Sequence, residues 1–396
     1  MICVIIGGGA AGMFAAIRCK EKHPSAQVIL LEKTNQLLSK VRISGGGRCN
    51  VTHHCFDPNQ LAKHYPRGSK ELIGPFHTFQ AKDTVAWFEE RGVVLKTEDD
   101  GRMFPITDSS ETIINCLLHA ANLAGVDIRK QQAVQSIQKK NERFIIELKG
   151  SEILADKLLL ATGSSPWGHQ MAREFGHRII DPVPSLFTFN VPSSPLLDLA
   201  GIAVSDAMIE LEGTSLRQKG PILLTHWGFS GPAVLKLSAW AARELHACGY
   251  KASILIRWLA SSSQEEIYQQ LLQQKQAHPL QALPPRLPRN LWNKLLSQLS
   301  IDPAAAMGKL SHKSLSQFAA KLHADRYLLE GKTTYKQEFV TAGGVDLKEI
   351  DCKTMQSKLV PGLFFAGEIL NIDGVTGGFN FQNAWTTAWL AANAIE

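Results

Sequence analysis

Two glycine-rich stretches near the N-terminus carry residue types that could do chemistry. The first, Gly7-Gly8-Gly9-Ala10-Ala11-Gly12, has the G-x-G-x-x-G spacing that brings a pyrophosphate onto bare backbone. The second, Ser44-Gly45-Gly46-Gly47-Arg48-Cys49-Asn50, puts a thiol between a guanidinium and an amide, where it could deliver a proton. Arg48 and Arg102 could anchor a carbonyl or a phosphate, or simply pair with acids and hold their loops. His226, in Thr225-His226-Trp227-Gly228, reads as a packed histidine first and as a proton donor second. Cys49 reads equally as an acid and as a buried structural cysteine.

Elements of defined type must position the first stretch. The apolar run Ile2-Cys3-Val4-Ile5-Ile6 precedes it, and Val28-Ile29-Leu30-Leu31 ends at Glu32, twenty residues past Gly12. Strand, turn, helix, strand, acid is the complete fingerprint for the ADP half of a dinucleotide. Gly7 allows the tight turn, Gly9 the approach of the pyrophosphate and Gly12 the packing of helix on sheet. The helix N-terminus offers free N–H groups and partial positive charge, and Glu32 accepts from the adenosine ribose.

Later segments add a flavin-like set. Lys157-Leu158-Leu159-Leu160 runs into the turn Ala161-Thr162-Gly163, and Phe364-Phe365-Ala366-Gly367 ends at Glu368, placed to hold ribityl hydroxyls. Gly377-Gly378-Phe379-Asn380 opens the last helix, whose dipole would stabilise negative charge on a reduced flavin. Turns at 7–12, 160–164 and 366–378 follow the order of two-dinucleotide-binding-domain flavoproteins, which points to FAD. No later glycine cluster repeats the first fingerprint, so NAD(P)H, if used, binds transiently. Cys49 and Cys55 are too far apart for the usual redox disulfide beside a flavin, and no His/Cys set suggests a metal.

The chain has 396 residues, 44% hydrophobic and 20% charged, enough for two or three domains of ordinary globular composition. The expected fold class is α/β: a Rossmann-like FAD-binding domain, discontinuous over 1–185 and 336–396. It is interrupted by a β-rich insert over 186–262 and a helical part over 263–335. Helices are expected at 82–92, 109–125 and 380–394, and strands near 133–138, 143–148, 207–212, 252–258 and 363–366. A core strand starting at residue 2 leaves no room for a signal peptide, no run approaches the roughly 18 apolar residues of a membrane span, and seven irregularly spaced cysteines fit a reducing cytoplasm. The net charge of +6 is compatible with an anionic partner such as RNA.

Six further blocks sharpen the reading. They are Ser44–Thr52, Gly101-Arg102-Met103-Phe104-Pro105, Thr225–Pro232, Thr341-Ala342-Gly343-Gly344-Val345, Thr354–Lys358, and Ala366-Gly367-Glu368 with Asp373-Gly374 and Thr376–Gln382. With them, residues 2–394 resemble the bacterial flavoprotein family known as aminoacetone oxidase family FAD-binding enzymes, or NAD(P)/FAD-dependent oxidoreductases. The resemblance implies a non-covalent FAD, a three-part architecture with a β-barrel-like inserted domain, and one of three reactions: oxidation of a small aminoketone, reduction of a C=C bond in bile-acid intermediates, or reduction of a uridine in 23S rRNA to dihydrouridine. Of these, reduction of a uracil-like bond in rRNA is favoured, because the insert carries Arg243, Lys251, Arg257, Arg286, Arg289, Lys294, Lys309 and Lys313. The alternatives are a small-molecule oxidase or ene-reductase, and a binding or assembly protein with a structural flavin. By the same resemblance Gly7, Gly9, Ala10, Ala11, Gly12, Glu32 and Lys33 would hold the ADP half, and Val134 would meet adenine through its backbone. Ala161, Thr162 and Gly163 would flank the pyrophosphate, and Arg42, Ser44, Gly45 and Gly46 would line the cofactor. Gly367, Glu368, Asp373, Gly378, Asn380 and Phe381 would hold the ribityl chain and ring. Asn371 stands where the family usually has Asp, and Ser164-Ser165-Pro166-Trp167 replaces a more glycine-rich turn.

Overall fold

The apolar runs that frame the first glycine turn become adjacent strands. The computed structural model of the chain describes residues 1–273, 287–302, 309–333 and 340–396. Strand β1 (Ile2–Ile6) pairs in parallel with β2 (Gln27–Leu31), which pairs with β3 (Asp127–Arg129). On its other side β1 pairs with β4 (Lys157–Leu160), and two short antiparallel strands, β5 (Ile350–Asp351) and β6 (Gln356–Ser357), extend the sheet beyond β7 (Leu363–Phe365). The seven-stranded order is β5-β6-β7-β4-β1-β2-β3. Strands β1, β2, β4 and β7 are buried along most of their length, as parallel strands covered on both faces must be.

Helix α1 (Ala10–Lys22) follows β1, α2 (Ser39–Gly47) follows β2, and α3 (Ser110–Ala124) precedes β3. The last helix, α4 (Phe379–Ala394), is buried almost all round, including Gln382, Asn383, Thr386 and Thr387, and packs against α1. Phe14 of α1 meets Trp385 at 5.3 Å, and Arg18 stacks over Trp389 at 4.0 Å. This unit also holds two small antiparallel sheets, residues 52–53 with 102–105 and 95–97, and the meander 136–140, 143–148, 151–155, and Val340–Val345 forms a two-stranded sheet with Ile179–Ser185. The first strand of the meander begins at Ser136, so Val134 lies in the loop before it.

The chain divides into two compact units, Met1–Val183 with Lys336–Glu396, and Pro184–Tyr335. The second unit is a seven-stranded antiparallel sheet in the order 325–330, 251–257, 203–211, 217–225, 228–230, 188–190, 332–333. Its two edge strands are consecutive in the chain and joined at Gly331 (φ +133°), so the sheet curls back on itself in a barrel-like way. Residues 325–333, grouped with the helical part on composition, are therefore strand. Asp325–Glu330 alternates buried and exposed at every residue, the period of a half-buried strand. Helices Pro232–Trp240, Gln264–Gln273, Arg289–Ser297 and His312–His323 supply the rest of a core that includes Phe229, Trp258, Trp292 and Phe318. Arg286 and the expected boundary at 335/336 lie outside the described residues.

Candidate functional site

Three of the glycines at the first turn serve different ends. A Cβ on Gly12 would sit 1.9 Å from the Gly7 carbonyl oxygen, and one on Gly7 (φ +112°) 2.4 Å from that of Ala161. Both are glycine because backbone packs on backbone. Gly9 has φ −84°, and a Cβ there meets nothing within 4 Å. Nothing in the protein requires glycine at Gly9, so the room above it is for a group from outside the chain. Helix α1 has no side-chain cap and no acid in its first turn, which leaves its N–H groups and dipole for an anion. These features fit a pyrophosphate.

The carboxyl ends of β1, β4 and β7 lie side by side, where open α/β sheets bind their ligands. A Cβ on Gly367 would stand 2.9 Å from Ala11, and one on Gly163 (φ +59°) 3.5 Å from Glu368. Thus the turns at 7–12, 161–163 and 366–368, some 350 residues apart at the extremes, form one rim. On that rim the hydroxyl oxygen of Thr162 is buried without a hydrogen-bond partner. Glu32 accepts from Gly8 N (2.9 Å) and, on its other oxygen, from Thr34 N (2.8 Å). The Thr34 hydroxyl also donates to that second oxygen (2.8 Å), and since a carboxylate has room for roughly four donors, capacity for one ribose hydroxyl remains. Lys33 is exposed, and Val134 lies two residues past Gln132, whose N–H bonds the Glu32 carbonyl (2.9 Å). At the other end of the rim Glu368 is held by Lys40 (2.5 Å) and Thr341 N (3.2 Å).

Helix α2 breaks at Ser44–Gly46, where Gly45 and Gly46 take left-handed φ of 58° and 68°. The Ser44 hydroxyl donates to Val41 O (2.9 Å), Arg42 pairs with Glu111, and a Cβ on Gly46 or Gly47 would enter open space. Arg48 reaches Glu98 (2.6 Å) and Asp108 (3.4 Å) and lies 4.0 Å over the Phe104 ring. Arg102 reaches Glu98 (2.8 Å) and Asp100 (2.7 Å). Both cations are therefore neutralised by acids.

That pairing changes the expected setting of Cys49. The residue is fully buried with φ +61°, and burial pushes its thiol up to about 12 against a small opposing effect of Ser44. The electropositive environment expected from the sequence is absent, because Arg48 spends its charge on Glu98 and Asp108. Asn50, in the amide orientation that satisfies both ends, accepts from Gly378 N (2.9 Å) and donates to Thr52 O (3.0 Å). It ties the thiol loop to the start of α4.

The start of α4 rests on residues that sequence reasoning missed. A Cβ on Gly378 would lie 2.5 Å from Thr52 O. The Phe379 ring stacks on His64 at 4.2 Å and lies 4.6 Å from His53, whose Nδ1 bonds Gly377 O (3.0 Å). The Tyr65 hydroxyl donates to Phe379 O (2.6 Å). Asp373 is fully buried and takes Arg67 Nε at 2.6 Å, with a second, shorter bond from the same guanidinium. Asn380 closes on Gly374, donating to its carbonyl and accepting from its N–H at 2.9 Å each. Phe381 stacks on Trp385 at 5.7 Å. Asp373 and Asn380 thus build the loop that presents α4, whose own N–H groups have no side-chain cap and no acid in the first turn. His226 belongs to the second unit, where it is exposed rather than packed.

Among the described residues no group of three His, Cys, Asp or Glu could hold a metal, and no helix is long and apolar enough to cross a membrane.

Comparison with known proteins agrees with this geometry. The chain is 31% identical to the ribosomal RNA dihydrouridine synthase of Escherichia coli (strain K12), over 99% of this chain and 97% of that protein. It is 26% identical to the 3-dehydro-bile acid delta(4,6)-reductase of Clostridium scindens, over 98% of each. Its fold is that of the 3-ketosteroid-delta4-(5alpha)-dehydrogenase of Rhodococcus jostii RHA1 (TM-score 0.53, 15% identity, 98% and 96% covered). Residues 1–394 match the model of the HI0933-like protein Rossmann domain. The chain therefore belongs to the HI0933-like Rossmann-domain family and is an FAD-dependent oxidoreductase.

Proposed function

We propose that this oxidoreductase reduces an activated carbon–carbon double bond, and that its substrate is a uridine of 23S rRNA, which becomes dihydrouridine. The observation that carries this reading is the full-length, 31% match to a ribosomal RNA dihydrouridine synthase. Charge supports it. Of the net +6, the second unit holds +5, with 15 Lys and Arg against 10 Asp and Glu. Some of those cations are neutralised, as in Lys294–Asp198 (2.6 Å) and Arg257–Glu210 (3.4 Å). Lys251, Arg289, Lys309 and Lys313 have no ion-pair partner among the described residues, and are available to phosphates.

The reduction adds a hydride to one carbon of the uracil C5=C6 bond and a proton to the other, with NAD(P)H proposed as the transient source of the two electrons. Bound FAD supplies a carrier that accepts and passes on a hydride. The chain's own residues do the rest. Gly9 and the α1 N-terminus receive the pyrophosphate, Glu32 the ribose, and the α4 N-terminus, held by Asn50, Tyr65 and Asp373, offers N–H groups and positive dipole to an electron-rich ring. Cys49 is the proposed proton donor. It stands in the Gly47-Arg48-Cys49-Asn50 loop, and a non-glycine residue held at φ +61° is a strain typical of functional loops. His226 is the alternative donor.

The test is anaerobic stopped-flow. The FAD-loaded protein is reduced with NADPH or NADH and mixed with 23S rRNA or free uridine, and the oxidised protein is mixed separately with a small amine. Reoxidation by rRNA with formation of dihydrouridine is expected. Reoxidation by free uridine but not by rRNA, or reduction of the oxidised flavin by the amine with no reoxidation by rRNA, contradicts the substrate, and a flavin that no donor reduces contradicts the enzyme.

A further inference from the structure

We propose that the hairpin tip His226–Trp227 is a nucleobase-stacking element of the second unit, through which this chain holds single-stranded RNA. The proposal rests on the rRNA reading and names the contact by which such a partner is gripped. Of the chain's eight tryptophans, all among the described residues, only Trp227 is exposed, with 39% of its surface accessible. It occupies an unexpected place. Strands Arg217–Thr225 and Gly228–Ser230 pair Thr225 with Gly228, so His226 and Trp227 are the whole of a two-residue loop. Such loops favour Asn-Gly or Gly-containing pairs with positive φ. Neither His226 nor Trp227 has positive φ, and neither is buried. Local turn chemistry and core packing both fail to explain an aromatic residue here, which is the pattern expected at a functional position.

The tip is also rigid. Trp227 O accepts from Val191 N at 2.7 Å. Gly228 is pressed so closely on the neighbouring strand that a Cβ would stand 2.3 Å from Phe189 O. Next to it Phe229 is fully buried, edge-on to Tyr327 at 4.9 Å. A backbone tied down on both sides presents the exposed indole at one place, and every base offers a flat π-face to it. The occupant follows from the surroundings. The only other exposed large apolar residues described in this unit are Leu223 and Leu328, far short of the apolar patch that a protein partner covers. An exposed indole on a unit of net charge +5 fits a polyanion with stacking bases.

The experiment measures binding of fluorescein-labelled oligouridylate, and of its abasic ribose-phosphate counterpart, to FAD-loaded wild type, Trp227→Ala and Trp227→Phe. We expect Trp227→Ala to bind oligouridylate about 5- to 150-fold more weakly, the range for one lost base–aromatic stack. Trp227→Phe should stay within a few-fold of wild type, and the abasic strand should not distinguish the three proteins. The salt dependence should be the same in all, since no cation is removed. Equal affinity of wild type and Trp227→Ala for oligouridylate overturns the proposal. So does an equal loss on the abasic strand, or no measurable binding by wild type. Wild-type protein that fails to form dihydrouridine in rRNA overturns the substrate reading instead, while the binding comparison still decides the hairpin.

Discussion

Gly9 and Gly12 separate the demands of the fold from those of the cofactor. In Gly12→Ala the new Cβ starts 1.9 Å from the Gly7 carbonyl oxygen, and contacts under 3.0 Å are not found for real Cβ atoms. Helix α1 must therefore move by about 1.1 Å against a strand end, with only backbone to yield. That places the cost at the upper end of overpacking, about 3 kcal/mol, or roughly 6–12 °C in Tm for a unit of this size. In Gly9→Val the new Cβ meets no atom within 4 Å and needs no unusual φ, so flavin-free protein should lose no more than about 0.5 kcal/mol. Its branched side chain fills the space assigned to the pyrophosphate, however. Losing two charge-assisted backbone hydrogen bonds there should weaken FAD binding by at least about 100-fold. Thermal unfolding of the two apoproteins by circular dichroism, with FAD titration by fluorescence quenching, reads both effects. If Gly9→Val melts as low as Gly12→Ala, or binds FAD like wild type, the argument from open space at Gly9 is wrong.

Glu32→Ala should weaken FAD binding by about 1.5–3 kcal/mol, measured by the same titration, because a charged acceptor for the ribose is lost. Cys49→Ala should bind FAD and be reduced at the wild-type rate, yet reoxidise with substrate about 10²–10⁴-fold more slowly in stopped flow, whereas Cys55→Ala should be nearly silent. Full activity in Cys49→Ala moves the search to His226. His177 is buried between Glu349 (3.0 Å) and Ser357 (2.8 Å), and burial holds its imidazole below the usual histidine value. The unfolded chain then takes up a proton that the folded one refuses, so this stability is present above about pH 6.5 and lost as pH falls below it, by at most about 1.4 kcal/mol per pH unit. Urea midpoints between pH 7.5 and 5.5 should fall in wild type, and fall less in His177→Gln.

What the sequence made legible is what is local or repetitive. The strand–turn–helix of residues 2–22 is written in contiguous residues, and the roles of Gly7 and Gly12 follow from spacing alone. The strand at 143–148 and the last helix could be read from periodicity and from a glycine pair at the helix start. Contacts across the chain left no such trace. Tyr65, His64 and Arg67 act on residues about 310 positions away, and nothing near them in sequence announces it. The break inside α2 was visible as glycines, but not the helix leading into it, Ser39–Ile43. The setting of Cys49 was misjudged for a related reason. Its neighbours in sequence are polar and cationic, whereas its environment is decided by Glu98 and Asp108, which take up the charge, and by complete burial.

The central claim is that this chain makes dihydrouridine in rRNA, and one measurement addresses it directly: mass spectrometry of 23S rRNA nucleosides from cells with the gene, without it, and with it restored. The account predicts dihydrouridine at a discrete uridine in the first, its loss in the second, and its return in the third, but not when the restored copy carries Gly9→Val. An unchanged dihydrouridine content in cells lacking the gene contradicts it.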